Sequence, residues 1–307
     1  MGRIVFFGTG PVAAKALNRL SKNFEIEAVI TKPKPAHHRG NFPVLDVAES
    51  LKLPVKTVTN KAELSALIAT KPFSSDVGVL IDFGIIVAQD TIDYFPKGIV
   101  NSHFSMLPKL RGADPITFTI LEDEVPGVSI MLLVQAMDEG PIIAQKELYI
   151  AQKELLNSVG QTNSTLTDEL IQLSDDLLNE SLPSYLLGEL SPRPQTGEAT
   201  YSRKLTKEDG RLDWSKPAEH LEREIRAYVE WPKSYTQLAG KDVIVTKAHE
   251  VPSTATGAKP GDIDAQKNVG VIMISTSDGS LCIDTLKPAG KNEMTAREFL
   301  AGYGKDL

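Results

Sequence analysis

The chain has 307 residues, 41% hydrophobic and 24% charged. This is ordinary globular composition, long enough for two domains with separate cores. One cysteine, Cys282, excludes an intrachain disulfide framework and an all-cysteine metal site, and the five histidines lack His-Glu-x-x-His spacing. The net charge of −7 argues against a protein that coats nucleic acid, but it is unevenly placed: residues 1–200 hold 17 Lys+Arg against 24 Asp+Glu, and residues 201–307 hold 16 against 16.

The first 150 residues alternate short apolar runs with helical stretches. Arg3–Gly8, Glu25–Thr31, Leu53–Thr57, Val77–Phe83 and Gly98–His103 are expected strands, bounded by Gly, Pro or Asn. Pro11–Lys22, Val44–Leu51, Lys61–Thr70 and Gln89–Tyr94 are the expected helices between them. Such alternation predicts an α/β, Rossmann-like, doubly wound and mostly parallel sheet. Ser129–Val134 and Ile142–Ile150 add an edge hairpin, and Thr165–Leu187 a long helix with Thr165 and Asp168 as its capping box and Pro183 as a break or kink. The Gly- and Pro-rich stretch 188–200 has linker composition.

Beyond the linker, expected strands at Ser234–Leu238, Lys241–Ala248, Val269–Ser275 and Ser280–Leu286 suggest a small β-barrel, with the oligonucleotide-binding type as one candidate. Helices are expected at Pro217–Tyr228 and Ala296–Ala301, the latter with a Thr295/Glu298 capping box. The expected domains are 1–190, a linker 191–204, and 205–307. The apolar start of the chain is too short for a signal peptide and no run of about 18 apolar residues is present, so a soluble, cytoplasmic protein is expected.

Two motifs bear on chemistry. Gly8-Thr-Gly10-Pro-Val-Ala13, after strand one and opening a helix, fits the dinucleotide pattern and would suggest a nicotinamide-dependent oxidoreductase or a nucleotide-binding module. The second strand ends Ile30-Thr31-Lys32, however, without the carboxylate that would hold a ribose, and a tight glycine turn also serves close strand–helix packing. The second motif is Asn101-Ser102-His103, at the C-terminal end of a central strand, where open α/β sheets bind ligands. Strand alternation puts Asn101 and His103 on one face. An amide and an imidazole there suit acyl-type transfer, and a histidine satisfied by backbone carbonyls is the competing structural reading.

Asn101-x-His103, followed by Ser105-x-Leu107-Pro108 and then Arg111-Gly112, is similar to the signature of the folate-dependent formyltransferases. Asp138-Glu-Gly140, thirty-five residues after His103, matches the third catalytic position of that family. The resemblance implies catalytic roles for Asn101, His103 and Asp138. It implies 10-formyltetrahydrofolate as co-substrate, lined by Ile81, Asp82, Phe83, Gly84, Ser105, Met106, Leu107, Pro108 and Met137, with no metal. It also implies a cis Leu107–Pro108 bond. Tyr201–Trp214, Ile225–Tyr228, Trp231-Pro232 and Leu286–Gly290 look like the branch that formylates methionine carried on initiator tRNA, for translation initiation. That partner would meet Lys32, Lys34, Arg39, Arg111, Arg203, Lys204 and Lys207, and a monomer is expected. The alternative acceptor is an amino-sugar nucleotide, since the basic segment Lys32–Asn41 is shorter than is usual in the tRNA branch.

Overall fold

The computed structural model describes residues 2–34, 40–149, 161–252 and 257–307. Arg39 and the last expected strand residue, Ile150, lie outside the described residues. The described residues form two compact units, one drawn from residues 2–34, 40–115, 125–149 and 167–202, the other from 116–124, 161–166, 203–252 and 257–307.

The first unit is built on seven strands: β1 Arg3–Phe7, β2 Glu25–Thr31, β3 Val55–Thr57, β4 Gly78–Leu80, β5 Ile99–His103, β7 Gly127–Leu132 and β8 Ile142–Glu147, in the order β3-β2-β1-β4-β5-β7-β8. The first five are parallel and β7 and β8 antiparallel. Between them run α1 Pro11–Leu20, α2 Pro43–Ser50, α3 Lys61–Ala69 and α4 Gln89–Asp93. The sheet interior is continuous apolar sequence because both faces are covered: Ile4 to Phe7 have no exposed surface. A short parallel pair, β6 Arg111–Gly112 with β9 Tyr201–Ser202, closes the unit.

Two helices differ from expectation. α5, Pro115–Leu121, was not expected, because Ile-Thr-Phe-Thr-Ile is a β-branched, strand-like run. Burial of Ile116, Thr117, Thr119, Ile120 and Leu121 overrides that propensity, and Pro115 begins the helix. α6 spans Asn163–Leu186, beginning two residues early. Its cap is Thr162 with Thr165: Thr162 N donates to Thr165 Oγ1 at 3.0 Å and Thr165 N donates to Thr162 Oγ1 at 3.3 Å. Asp168 is therefore no cap; it takes a 2.5 Å hydrogen bond from Lys15 on α1. The helix continues through Pro183 to Leu186.

The second unit holds a six-stranded antiparallel sheet: β10 Tyr235–Leu238, β11 Lys241–Val251, β14 Ser280–Pro288, β13 Val271–Ser275 and β12 Ile263–Gln266 in that order, with β15 Met294–Thr295 on β14. Register shifts in β11 between Val245 and Ala248 bend the long strand, and the sheet curls as a half-barrel. α7 Ala218–Ala227 and α8 Ala296–Tyr303 close its apolar face over Leu221, Ile225, Leu281, Ile283 and Phe299. The Thr295/Glu298 capping box is present. β12 escaped sequence reading because Asp264 and Gln266 make it a polar edge strand.

Candidate active site

The strand order reverses between β1 and β4, which is where a doubly wound sheet opens a ligand crevice. The glycine motif lies there but is filled by the protein itself. The Asp82 carboxylate faces the first turn of α1, where the Ala13 backbone N–H favours its charged form. A methyl group added to Gly10 would lie 1.8 Å from Asp82 Oδ2. The positive end of the helix, which would hold a pyrophosphate, thus already faces a carboxylate. Gly8 is required for packing, since a Cβ there would come 2.5 Å from the Ala13 methyl. Asp82 is exposed at the surface, yet crowding by neighbouring groups pushes its carboxyl up to about 6, against the opposing pull of the Ala13 N–H.

One strand further on, β5 delivers Asn101 and His103, 7% and 6% exposed, to the C-terminal edge. β5 is flanked by parallel β4, Leu80 opposite Asn101, and by antiparallel β7, Ser129 opposite His103. His103 Nε2 sits 2.9 Å from the Leu110 carbonyl, which can only accept, so Nε2 carries a proton. Nδ1 faces Asp138 Oδ1 at 3.7 Å, too long for a hydrogen bond and within ion-pair reach. Asp138 Oδ2 accepts from the Gly112 N–H at 2.7 Å. Asp138 has φ +53°, a left-handed conformation that Asp tolerates better than most residues. The Asn101 amide makes no hydrogen bond within the described residues.

The turn after β5 is held by side chains that sequence reading missed. Ser129 Oγ donates to the Ser105 carbonyl at 2.6 Å and accepts from Leu107 N at 3.1 Å. Gln145 Nε2 donates to the Leu107 carbonyl and to Ser129 Oγ, both at 2.8 Å. The Leu107–Pro108 bond is cis, as is Trp231–Pro232. Gln195, in the stretch read as linker, donates to the carbonyls of Asp138 at 2.7 Å and Gly140 at 2.9 Å. Its Oε1 accepts from Arg111 Nη2 at 2.9 Å. No local signal marks Gln195, because its partners are more than fifty residues away in sequence.

The other expected residues differ in burial and in what engages them. Ser105 and Leu107 are buried, Met106 and Pro108 are half-buried, and Met106 packs over Gly127. The Ile81 side chain is wholly interior, so only its backbone can border a ligand; Phe83 meets Phe7 edge-to-face at 5.6 Å. Gly84 accepts, through its carbonyl, from Lys32 Nζ at 2.9 Å. Met137 is 67% exposed, as is Ile86 at 74%, a residue not singled out from sequence. Arg111 is engaged by Glu139 at 3.0 Å, by Gln195 and by Tyr201. In the second unit Arg203 pairs with Asp209, whose carboxyl the guanidinium holds well below the usual range, while Lys204 and Lys207 are exposed. Lys34 is exposed in the first unit.

Comparison with known proteins covers both units. Residues 2–173 match the formyl transferase family, and residues 204–304 match the formyl transferase C-terminal domain. The chain is 36% identical to a methionyl-tRNA formyltransferase of Myxococcus xanthus, covering 98% of this chain and 95% of that one. It is 34% identical to one of Geobacillus thermodenitrificans, covering 100% and 96%. Among solved structures, a Helicobacter canadensis N-formyltransferase in complex with folinic acid and dTDP-3-aminofucose superposes with TM-score 0.67 at 18% identity, covering 92% of this chain and 98% of that one. Aquifex aeolicus HypX in complex with tetrahydrofolic acid gives TM-score 0.64 at 16% identity, covering 99% and 47%. At those identities the two structures speak for the fold alone, whereas the sequence matches run end to end: the chain belongs to the formyl transferase family.

Proposed function

We propose that the protein transfers the formyl group of 10-formyltetrahydrofolate to the amino group of methionine on initiator tRNA. The observation that carries this reading is the convergence of Asn101, His103 and Asp138 at one end of β5. The chain around them matches methionyl-tRNA formyltransferases along its full length. In this reading residues 1–190 carry the catalysis and 205–307 bind tRNA, while the connecting stretch 191–204 also supplies Gln195 to the Asp138 turn.

The neutral methionine amine attacks the formyl carbon, forming a carbon–nitrogen bond and a tetrahedral oxyanion. The unpartnered Asn101 amide and an N–H of His103 donate to that oxyanion. For His103 Nε2 to do so, its bond to the Leu110 carbonyl is exchanged for one to substrate. Asp138 orients the ring, balances its charge, and takes the proton the amine gives up, directly or through water. The bond from the formyl carbon to the folate nitrogen then breaks, and that nitrogen regains a proton from His103. The folate is bordered by the 81–84 backbone turn, Phe83, the Ser105–Pro108 turn and Met137. Positioning supplies most of the rate, since amine and formamide need only be brought together in the right orientation.

The test is a formylation assay with 10-formyltetrahydrofolate and methionyl initiator tRNA, with an amino-sugar nucleotide in parallel. Formyl-methionyl-tRNA, with uncharged initiator tRNA as inhibitor, is expected. Formylation of the amino sugar, unaffected by uncharged tRNA, would overturn the reading.

A further inference from the structure

Alternation along β14 sends Leu281 and Ile283 into the core of the second unit and puts Cys282 and Asp284 on the opposite face. The neighbouring strand β11 does the same with Ala248 and His249, and its register sets His249 directly opposite Cys282. Cross-strand partners have Cβ atoms about 4.5–5.5 Å apart, so three different donor types are held together by backbone pairing. A ring nitrogen of His249, the Cys282 sulfur and a carboxylate oxygen of Asp284 all lie within 4.8 Å of one another. His249 Nδ1 is 3.0 Å from Asp284 Oδ1. Cys282 is almost buried, whereas the His249 and Asp284 side chains keep 55% and 31% of their surface, so an ion can reach the cluster from solvent.

We propose that His249, Cys282 and Asp284 form a binding site for a divalent transition-metal ion of the zinc type. The donor set selects the class. Thiolate and imidazole suit zinc, whereas calcium and magnesium want several oxygens, and one carboxylate is too few. Metal–ligand distances of about 2.0–2.3 Å put neighbouring donors of a tetrahedral site roughly 3.3–3.7 Å apart. The His249–Asp284 separation is already near that value, and side-chain rotation about χ angles brings the sulfur in. Three protein donors leave a fourth position for water. Met273 stands on the other side of Cys282 in the register, on β13, with a thioether as a weaker candidate for it. On binding, the Cys282 thiol releases its proton to solvent as the sulfur–metal bond forms, and His249 gives its lone pair from the neutral ring. The ion would tie β11 to β14 where β11 leaves the bulged region.

Cobalt(II) titration tests this directly, because a sulfur-to-cobalt charge-transfer band requires a bound thiolate and Cys282 is the single cysteine of the chain. The expected result is a near-ultraviolet band saturating at one equivalent per chain, displaced by zinc. C282S abolishes the band. H249A and D284N, which change an exposed and a half-buried position on the face away from the core, weaken binding by at least about tenfold. Zinc also raises the melting temperature of the wild-type protein and not that of C282S. Absence of a band saturating at one equivalent overturns the proposal, as does unchanged affinity in both H249A and D284N. None of these readouts involves formyl transfer, so the site stands or falls apart from the reaction.

Discussion

The proposed mechanism rests on His103 and Asp138, and amide substitutions separate their chemistry from their packing, isosterically at Asp138. Asn at position 138 tolerates the left-handed backbone and can still accept from Gly112 N, but it removes the charge facing His103. H103N and D138N are each expected to lower the single-turnover rate by about 100-fold or more while folate affinity stays near wild type. Full activity with lost folate binding would reassign them to the pocket wall. Gln195 acts one step removed, by holding the carbonyls of Asp138 and Gly140. Q195A is expected to cost about 10- to 100-fold in kcat with little change in folate KM, because misplacement by about 1 Å can cost that much. A stability loss with unchanged kcat would make its role purely structural.

Asp82 yields a prediction about pH. Its folded pKa, about 6, exceeds the ordinary carboxylate value near 3.8, so the folded state binds the extra proton between them. Stability from this group is therefore present at acid pH and lost as pH rises through about 6. D82N keeps the size and polarity of the side chain and removes the titration. Relative to wild type, its melting temperature is expected to gain between pH 4 and pH 7; parallel curves would show that the carboxylate is not crowded.

At the scale of elements, the two-residue strands β6 and β9 matter more than their length suggests. Gly112 has φ +112° and faces the Ser202 carbonyl so closely that a Cβ would lie 2.3 Å from it. Its N–H also anchors Asp138. G112A is expected to destabilise by about 2 kcal/mol or more in denaturant unfolding, and to lower kcat through Asp138. Loss of stability without loss of kcat would uncouple the strand pair from the site. The Ser105–Leu110 turn shows the same logic: its shape comes from Ser129 and Gln145 on β7 and β8.

For the molecule as a whole, net charge gives no general attraction to RNA, so any tRNA affinity rests on local cations. In the second unit, Lys207, Lys233 and Lys287 line a cavity of about 400 Å³ together with Tyr235, Glu208 and Asp242. Replacing the three lysines with Gln is expected to weaken binding of charged tRNA and to flatten its salt dependence by roughly 0.7–0.9 per lost phosphate contact. Folate binding should be unaffected. An unchanged slope would put the phosphate contacts on other cations.

The alternating α/β order, the placement of Asn101 and His103 on one strand face, and the family were legible in the amino-acid order, because these rest on periodicity and on residues close in the chain. It also carried the Thr295 cap, whose partner is three residues away. It missed α5, where burial outweighs the strand propensity of Ile-Thr-Phe-Thr-Ile, and misplaced the cap of α6, where Asp168 is drawn off by Lys15. Tertiary structure alone decided that Asp82 fills the end of α1, that Arg111 is engaged with Glu139 and Gln195, and that Gln195 clamps the Asp138 turn. It also brought His249 beside Cys282 and Asp284. Each of these depends on a contact between segments far apart in the chain, and such contacts are fixed by strand register and packing, which no local pattern encodes.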